Sequence, residues 1–308
     1  MILRPSRRLF MGQLFGVFCA AQMSPALARA AKTIATRESQ YATTFVVRDG
    51  KYLTMRFGIN RCIFTESRYN PTDRAELPIV YTRLMTVALA YAARPSQIVE
   101  IGLGGGRLAS YIHDFVPGTH ITCVELDPGV VDLAKRYFDV RPGPRLELVS
   151  RDGRVYMATT KRSFDVILVD AYQGTLVPFH LVTREFFQIL QRKLAPGGVV
   201  AQNISPRVLD FHRMVATART VFDHVDLYPA RNNWVLIAYD GPVKTDAQLD
   251  ARAAEIEGTR GLRYSLKDMI SQRRADARTN HDDAPAFTDD FAPVGYMNYD
   301  RKCRVGGD

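Results

Sequence analysis

The stretch Gln97-Ile98-Val99-Glu100-Ile101-Gly102-Leu103-Gly104-Gly105-Gly106-Arg107-Leu108, continued by Cys123-Val124-Glu125-Leu126-Asp127, decides the fold. A short apolar run (Ile98, Val99, Ile101) enters a turn carrying Gly102, Gly104, Gly105 and Gly106, and an amphipathic segment from Leu108 to Phe115 leaves it. That order predicts strand, tight turn and helix. A second apolar run, Ile121 to Val124, stops at Glu125, about twenty residues after the glycines, where a carboxylate can meet the two hydroxyls of a ribose. Glycines alone also serve ordinary loops, but here strand, helix and acid agree. The expected site is a nucleoside cleft at the C-terminal edge of a parallel sheet.

The spacing Glu100-x-Gly102-x-Gly104-x-Gly106 resembles motif I of class I S-adenosylmethionine-dependent enzymes more than it resembles the dinucleotide fingerprint. The resemblance implies an adenosyl sulfonium as ligand. Glu100, Gly102, Gly104, Gly106 and Glu125 are then its binding residues.

With 308 residues, 46% of them apolar and 24% charged, the chain can bury a substantial core, which excludes a disordered or repeat protein. The formal charge is +9, and Arg4, Arg7 and Arg8 supply three of those charges from a segment expected to be removed. No basic stripe interleaved with aromatics is present, so nucleic acid is not an expected partner. The densest cluster, Arg273, Arg274 and Arg278, is expected on a polar surface. Ser6-Arg7-Arg8-x-Phe10 precedes an apolar stretch from Leu9 to Ala21, followed by the small residues Ala26, Ala28 and Ala30. This is the layout of a twin-arginine export signal peptide, too short for a comfortable membrane span. Export to the periplasm is expected, or the cytoplasm if that signal is not used. After cleavage Cys62, Cys123 and Cys303 remain, an odd count that gives no reason to assign a disulfide.

Four regions are expected: a signal segment 1–30, a small β-domain 31–70, a Rossmann-like catalytic domain 71–243 and a C-terminal helix with a polar tail, 244–308. Thr43 to Val47, Tyr52 to Phe57 and Cys62 to Thr65 predict short antiparallel strands, the first two joined across Asp49-Gly50. Leu77 to Tyr91 has helical periodicity. Strands are then expected at 97–101, 120–125, 145–149, 164–170 and 197–203, with helices near 106–115, 128–138, 183–194 and 207–221. Two closing strands follow at Val225 to Tyr228 and Trp234 to Tyr239, and a short helix at Asp246 to Glu257. The fold class is α/β, a class I methyltransferase-like, Rossmann-like doubly wound sheet with a small N-terminal antiparallel β-domain.

The fourth strand of that sheet ends at Asp170, so its carboxylate faces the same crevice as the glycine turn. At this point the chain resembles the spermidine synthase (polyamine aminopropyltransferase) family over roughly residues 38–240. Ser39-Gln40-Tyr41, the helix carrying Tyr81, the glycine motif, Glu125, Asp152-Gly153, Asp170 and Gln202 fall in the family's order, and Thr288-Asp289-Asp290-x-Ala292-Pro293 is similar to the C-terminal signature of its bacterial members. The resemblance implies decarboxylated S-adenosylmethionine, or intact S-adenosylmethionine, as co-substrate, no metal, a small amine such as putrescine as acceptor, and commonly a homo-oligomer. Gln40, Glu125, Asp152 and Gly153 would bind the cofactor, Asp170 would act as the catalytic acid residue, Tyr81 would orient the amine, and Gln202 would bind it. A protonated amine is no nucleophile, and a carboxylate both attracts it and accepts its proton.

Two positions depart from the family. Its Gly-Gly-Gly-Asp-Gly turn has an acid where this chain has Gly105, and its second aspartate after the fourth strand is Gln173, which would line the amine site here. Both changes remove negative charge. The alternative readings are an S-adenosylmethionine-dependent methyltransferase and a non-catalytic exported nucleoside- or polyamine-binding protein. Tyr172 and Phe179 are expected either to close over the site or to pack as ordinary loop residues. The six histidines show no metal-ligand spacing. Asp289 or Asp290 would reach the crevice if the tail folds back.

Overall fold

The computed structural model describes residues 31–59, 62–172, 174, 177–205, 211–259, 261–276 and 284–291. The signal segment, Gln173, Arg278, His281, Cys303 and most of the C-terminal tail lie outside the described residues.

Strands β1 (Lys32–Glu38), β2 (Thr43–Asp49), β3 (Tyr52–Ile59) and β4 (Cys62–Tyr69) form an antiparallel sheet in that order. Gly50 turns β2 into β3 with φ +58°, a left-handed conformation that suits glycine. The sequence patterning expects three of these strands and misses β1, which is largely exposed and has no apolar alternation to betray it.

After α1 (Val80–Met85) and α2 (Ala88–Tyr91) the chain alternates: β5 (Gln97–Ile101), α3 (Arg107–Phe115), β6 (His120–Glu125), α4 (Pro128–Tyr137), β7 (Leu146–Ser150), α5 (Gly153–Thr159), β8 (Phe164–Val169), α6 (Arg184–Lys193), β9 (Leu194–Ile204), α7 (Phe211–Arg219), β10 (His224–Ala230) and β11 (Asn233–Tyr239). The seven strands form one sheet in the order β10-β11-β9-β8-β5-β6-β7, parallel from β9 to β7, with β11 antiparallel to both its neighbours. From β5 the chain first builds outward to β7, then returns to β8 on the other side. The switch point therefore lies between β5 and β8, where a crevice opens beyond the strand ends.

The single helix expected over Leu77 to Tyr91 is two. The Thr86 hydroxyl donates to the Arg83 carbonyl at 2.6 Å, and three-residue backbone bonds run from Thr86 to Arg83 and from Val87 to Leu84. This tightened turn ends α1 before α2 begins. Helix starts elsewhere follow local chemistry. Asp127 accepts from the Gly129 N–H at 2.7 Å ahead of Pro128 at the start of α4, and Thr183 caps α6.

The sheet is covered on both faces. Leu89, Leu108, Ile112 and Tyr228 belong to the core on one side, and Phe164, Phe186, Phe187 and Phe222 to the other. Val130, Leu133 and Phe138 of the α4 region pack on Val46, Leu53 and Met55, which fastens the small sheet beside the crevice. Near the C-terminus α8 (Asp246–Thr259) places Leu249 and Ala253 in the core, and α9 (Leu266–Ile270) follows.

Two expectations are corrected here. Arg273 is not on the surface: its side chain is 5% exposed and pairs with the buried Asp226 at 2.8 Å and with Asp246 at 2.7 Å. Cys62 is disulfide-bonded, while Cys123 is a buried free thiol. Spacing cannot show which chain-distant groups fold together. Among the described residues no helix is long and apolar enough to cross a membrane.

Candidate active site

The glycine turn is built for close approach. Gly102 has φ +89°, and a Cβ there would stand 2.4 Å from the Asp170 carbonyl oxygen. Its absence lets the ends of β5 and β8 touch, with the Asp170 N–H donating to the Ile101 carbonyl at 2.8 Å. Gly104 (φ +50°) and Gly106 (φ +61°) carry the chain into α3. Gly153 serves the same purpose at α5, since a Cβ there would meet Ile101 Cγ2 at 2.3 Å.

Glu125, at the end of β6, is fastened by this turn. One oxygen accepts from the Leu103 N–H at 2.9 Å and the Gly104 N–H at 3.4 Å, the other from the Asp127 N–H at 3.0 Å. These turn amides are thus committed to a carboxylate, which disfavours a pyrophosphate at this position. The first oxygen is thereby filled, and the second, with one donor, keeps a lone pair for a ligand hydroxyl. Burial pushes the Glu125 carboxyl up, against the three N–H groups that hold it down.

A cleft of about 310 Å³ opens over the turn, with Ile101, Val124, Leu126 and Val130 as apolar wall and Glu66, Glu125, Asp127, Asp152 and Asp170 as acids. No lysine or arginine lines it among the described residues. A neighbouring pocket of about 340 Å³ shares Glu66, Tyr81 and Tyr172 with it and extends to Asn203 and the β10–β11 turn.

Asp170 lines the first of these spaces, and its partners Tyr81 and Asn203 line the second. One of its oxygens accepts from the Tyr81 hydroxyl at 3.2 Å and the other from the Asn203 amide at 2.9 Å. Burial pushes the Asp170 carboxyl up to about 7, and these two bonds restrain the rise. Burial, the Asp170 charge and its neighbours push the Tyr81 phenol well above its ordinary value, so it remains a donor. A carboxylate near neutrality with two fixed hydrogen-bond partners is suited to taking a proton from an ammonium.

A model of the spermine/spermidine synthase domain matches residues 78–230. A polyamine aminopropyltransferase of Vibrio vulnificus is 33% identical over 156 residues, 50% of this chain, so that the match spans about half of that relative's length (52%). The polyamine aminopropyltransferase of Chromobacterium violaceum is 31% identical over 205 residues, covering 65% of this chain and 78% of its own length. The chain belongs to the spermine/spermidine synthase family. A spermidine synthase crystallised with the transition-state analogue AdoDATO shares the fold, with a TM-score of 0.62 and 20% identity over 80% of this chain and 85% of that one.

Several residues assigned by the family resemblance take other places. Gln202 is fully buried and donates to the Leu181 carbonyl at 3.1 Å, and it lines neither pocket. Successive residues of a strand face opposite ways, so it is Asn203 that reaches Asp170 and the neighbouring pocket. Glu100 lies beneath the turn, 2% exposed and 3.6 Å from the Cys123 sulfur, outside the cleft. Gln40 is exposed on the β1–β2 turn, beside Tyr41 and Ala42, which do line the cleft. Asp152 lines the cleft but also caps α5, accepting from the Val155 N–H at 2.8 Å, and meets His180 Nε2 at 3.1 Å. Asp289 pairs with Arg154 on α5 rather than entering the cleft. Phe179 packs edge-on against Phe287, whereas Tyr172 lines both pockets and donates to the Asn203 carbonyl at 3.0 Å.

Sequence reasoning missed Glu66, Asn203 and His180. The signal for Asn203 is its place next to Gln202 at a strand end beside Asp170, whereas Glu66 lies in a strand read only as part of a small sheet.

Proposed function

We propose that this protein transfers an aminopropyl group from decarboxylated S-adenosylmethionine to a small amine. The observation that carries the reading is an acid-lined cleft without a lysine or arginine among its described walls, ending at Asp170 between Tyr81 and Asn203. A decarboxylated donor brings a sulfonium and an ammonium and suits those walls. The intact donor adds a carboxylate that would meet Glu66 and Asp170, a like-charge contact that disfavours methyl transfer from the same site.

Glu125 holds the ribose and the apolar wall takes the adenine. Tyr81 and Asn203 fix Asp170, which attracts the incoming ammonium and accepts its proton. The freed nitrogen lone pair attacks the aminopropyl carbon next to sulfur, and the C–S bond breaks to release methylthioadenosine. The sulfonium is already a good leaving group, so the residues supply position, exclusion of water and removal of one proton.

We propose also that the chain is exported through its twin-arginine-type segment. The Ser6-Arg7-Arg8-x-Phe10 pattern ahead of the apolar Leu9 to Ala21 stretch supports the reading. Sequencing the N-terminus of native protein tests it, and an intact Met1 overturns it.

The test of the main reading is mass spectrometry of by-products. Protein lacking residues 1–28 is given decarboxylated and intact S-adenosylmethionine with a panel of amines, alongside Asp170→Asn. Asp170-dependent methylthioadenosine with an aminopropylated amine is the expected result. Asp170-dependent S-adenosylhomocysteine would replace this reading by methyl transfer.

A further inference from the structure

The acid missing from the glycine turn has no room there. The Gly105 N–H donates to the Ser67 hydroxyl at 2.8 Å, and a Cβ on Gly105 would stand 2.8 Å from both Ser67 Cβ and Phe138 Cδ1. Contacts below about 3 Å are not tolerated, so a side chain at 105 would have to displace a strand residue and a buried ring. Strand β4 has taken that space.

The same strand delivers another acid. Opposite β3, Thr65 pairs with Arg56 and Ser67 pairs with Met55, which leaves Glu66 as the extra residue of a β-bulge. A bulge breaks the ordinary alternation and re-aims a side chain, a device frequent beside active sites. Here it points Glu66 into the junction of the spaces around Asp170. Glu66 lines the nucleoside cleft, the neighbouring pocket and a small recess that also holds Glu100 and Asp170. Its Oε1 is buried and has no hydrogen-bond partner. Burial, with the charges of Asp170 and Glu125 nearby, pushes the carboxyl up to about 8. A buried carboxyl oxygen without a donor is costly, and it persists where a ligand completes it.

Resting on the aminopropyltransferase reading, we propose that Glu66, from the β4 bulge, receives the ammonium of the aminopropyl group in place of the acid that the glycine turn lacks. The arrangement relocates a charge by one strand while keeping it beside Asp170. It also gives the chain a residue of its own for choosing the decarboxylated donor over the intact one.

The test is calorimetric binding of two adenosyl sulfoniums to wild-type protein and to Glu66→Gln. One is decarboxylated S-adenosylmethionine; the other is 5′-dimethylsulfonio-5′-deoxyadenosine, which keeps the sulfonium but lacks the ammonium. Glu66→Gln should weaken the first by about tenfold or more, the scale of one charge-assisted hydrogen bond, and leave the second within about twofold. Equal loss on both ligands, or loss on neither, overturns the assignment. So does a change confined to the KM of the acceptor amine, which would place the acceptor's ammonium at Glu66. If wild-type protein binds the dimethylsulfonio compound as tightly as the decarboxylated donor, the ammonium site is refuted while the nucleoside cleft stands. If it binds neither, the functional reading itself fails and takes this inference with it.

Discussion

The Asn203 amide donates to Asp170 Oδ1 at 2.9 Å, joining the end of β9 to the carboxylate that follows β8. That bond holds the Asp170 carboxyl down against burial, which otherwise raises it. Removing it in Asn203→Ala should push the carboxyl higher, so the acidic limb of kcat/KM for the amine moves to higher pH and activity at neutral pH falls about tenfold. Gln202→Ala, one residue earlier and facing away, should leave that limb where it is. A pH profile of the three proteins checks both.

Binding of a cationic donor should release protons. Asp170 sits at about 7 and Glu66 at about 8 in the ligand-free cleft, so near pH 7 both are partly or largely protonated. A bound dication favours their charged forms, and affinity should therefore rise between about pH 6 and about pH 8. Titration calorimetry at one pH in buffers of different ionisation enthalpy measures the release directly. A heat that is independent of buffer would contradict it.

The same groups act on stability with the opposite sense. A carboxyl raised in the folded state is fully accommodated below its unfolded value near 4.5, and its contribution is lost as pH rises through the folded value of about 8. Glu66→Gln removes that burden, so the ligand-free variant should melt higher than wild type at about pH 8.5 and with little difference at about pH 5, by roughly 2–4 °C for each kcal/mol recovered. Thermal melts at the two pH values decide it. A variant less stable at both would show that Glu66 holds the empty fold together.

Gly102 and Gly118 share a left-handed backbone, with φ +89° and +82°, yet differ in surroundings. A Cβ at Gly118 meets nothing within 4 Å, whereas one at Gly102 collides with the Asp170 carbonyl. Gly118→Ala should cost about 1–2 kcal/mol from backbone strain alone and keep its turnover. Gly102→Ala should cost more and abolish turnover by displacing Asp170. Urea unfolding with parallel by-product assays separates the two.

Much of the frame was legible in local chemistry. The runs Ile98 to Ile101, Ile121 to Val124 and Phe164 to Val169 are predominantly apolar, each interrupted by one polar residue (Glu100, Thr122 and Asp165), because their strands are buried on both faces, so the parallel sheet shows itself in the sequence. The glycines between β5 and α3, the acid at the end of β6 and Asp170 at the end of β8 follow from their positions along those strands. A doubly wound sheet brings its C-terminal strand ends to one edge whatever the details of packing.

What lay beyond the sequence turned on side-chain facing and on approach between distant segments. A bulge of one residue aims Glu66 at the cleft, and no apolar pattern marks an inserted residue in a short, half-exposed strand. Strand parity chose Asn203 over Gln202, one position apart. Arg273 became a buried partner of Asp226, and Cys62 entered a disulfide, through contacts that only the folded chain creates. Sequence by itself determined the order of strands and turns, because hydrophobic period and backbone preference are local. Tertiary structure alone decided that Glu66 joins Glu125 and Asp170 in the cleft, because its burial and facing arise only where β4 meets the ends of β6 and β8.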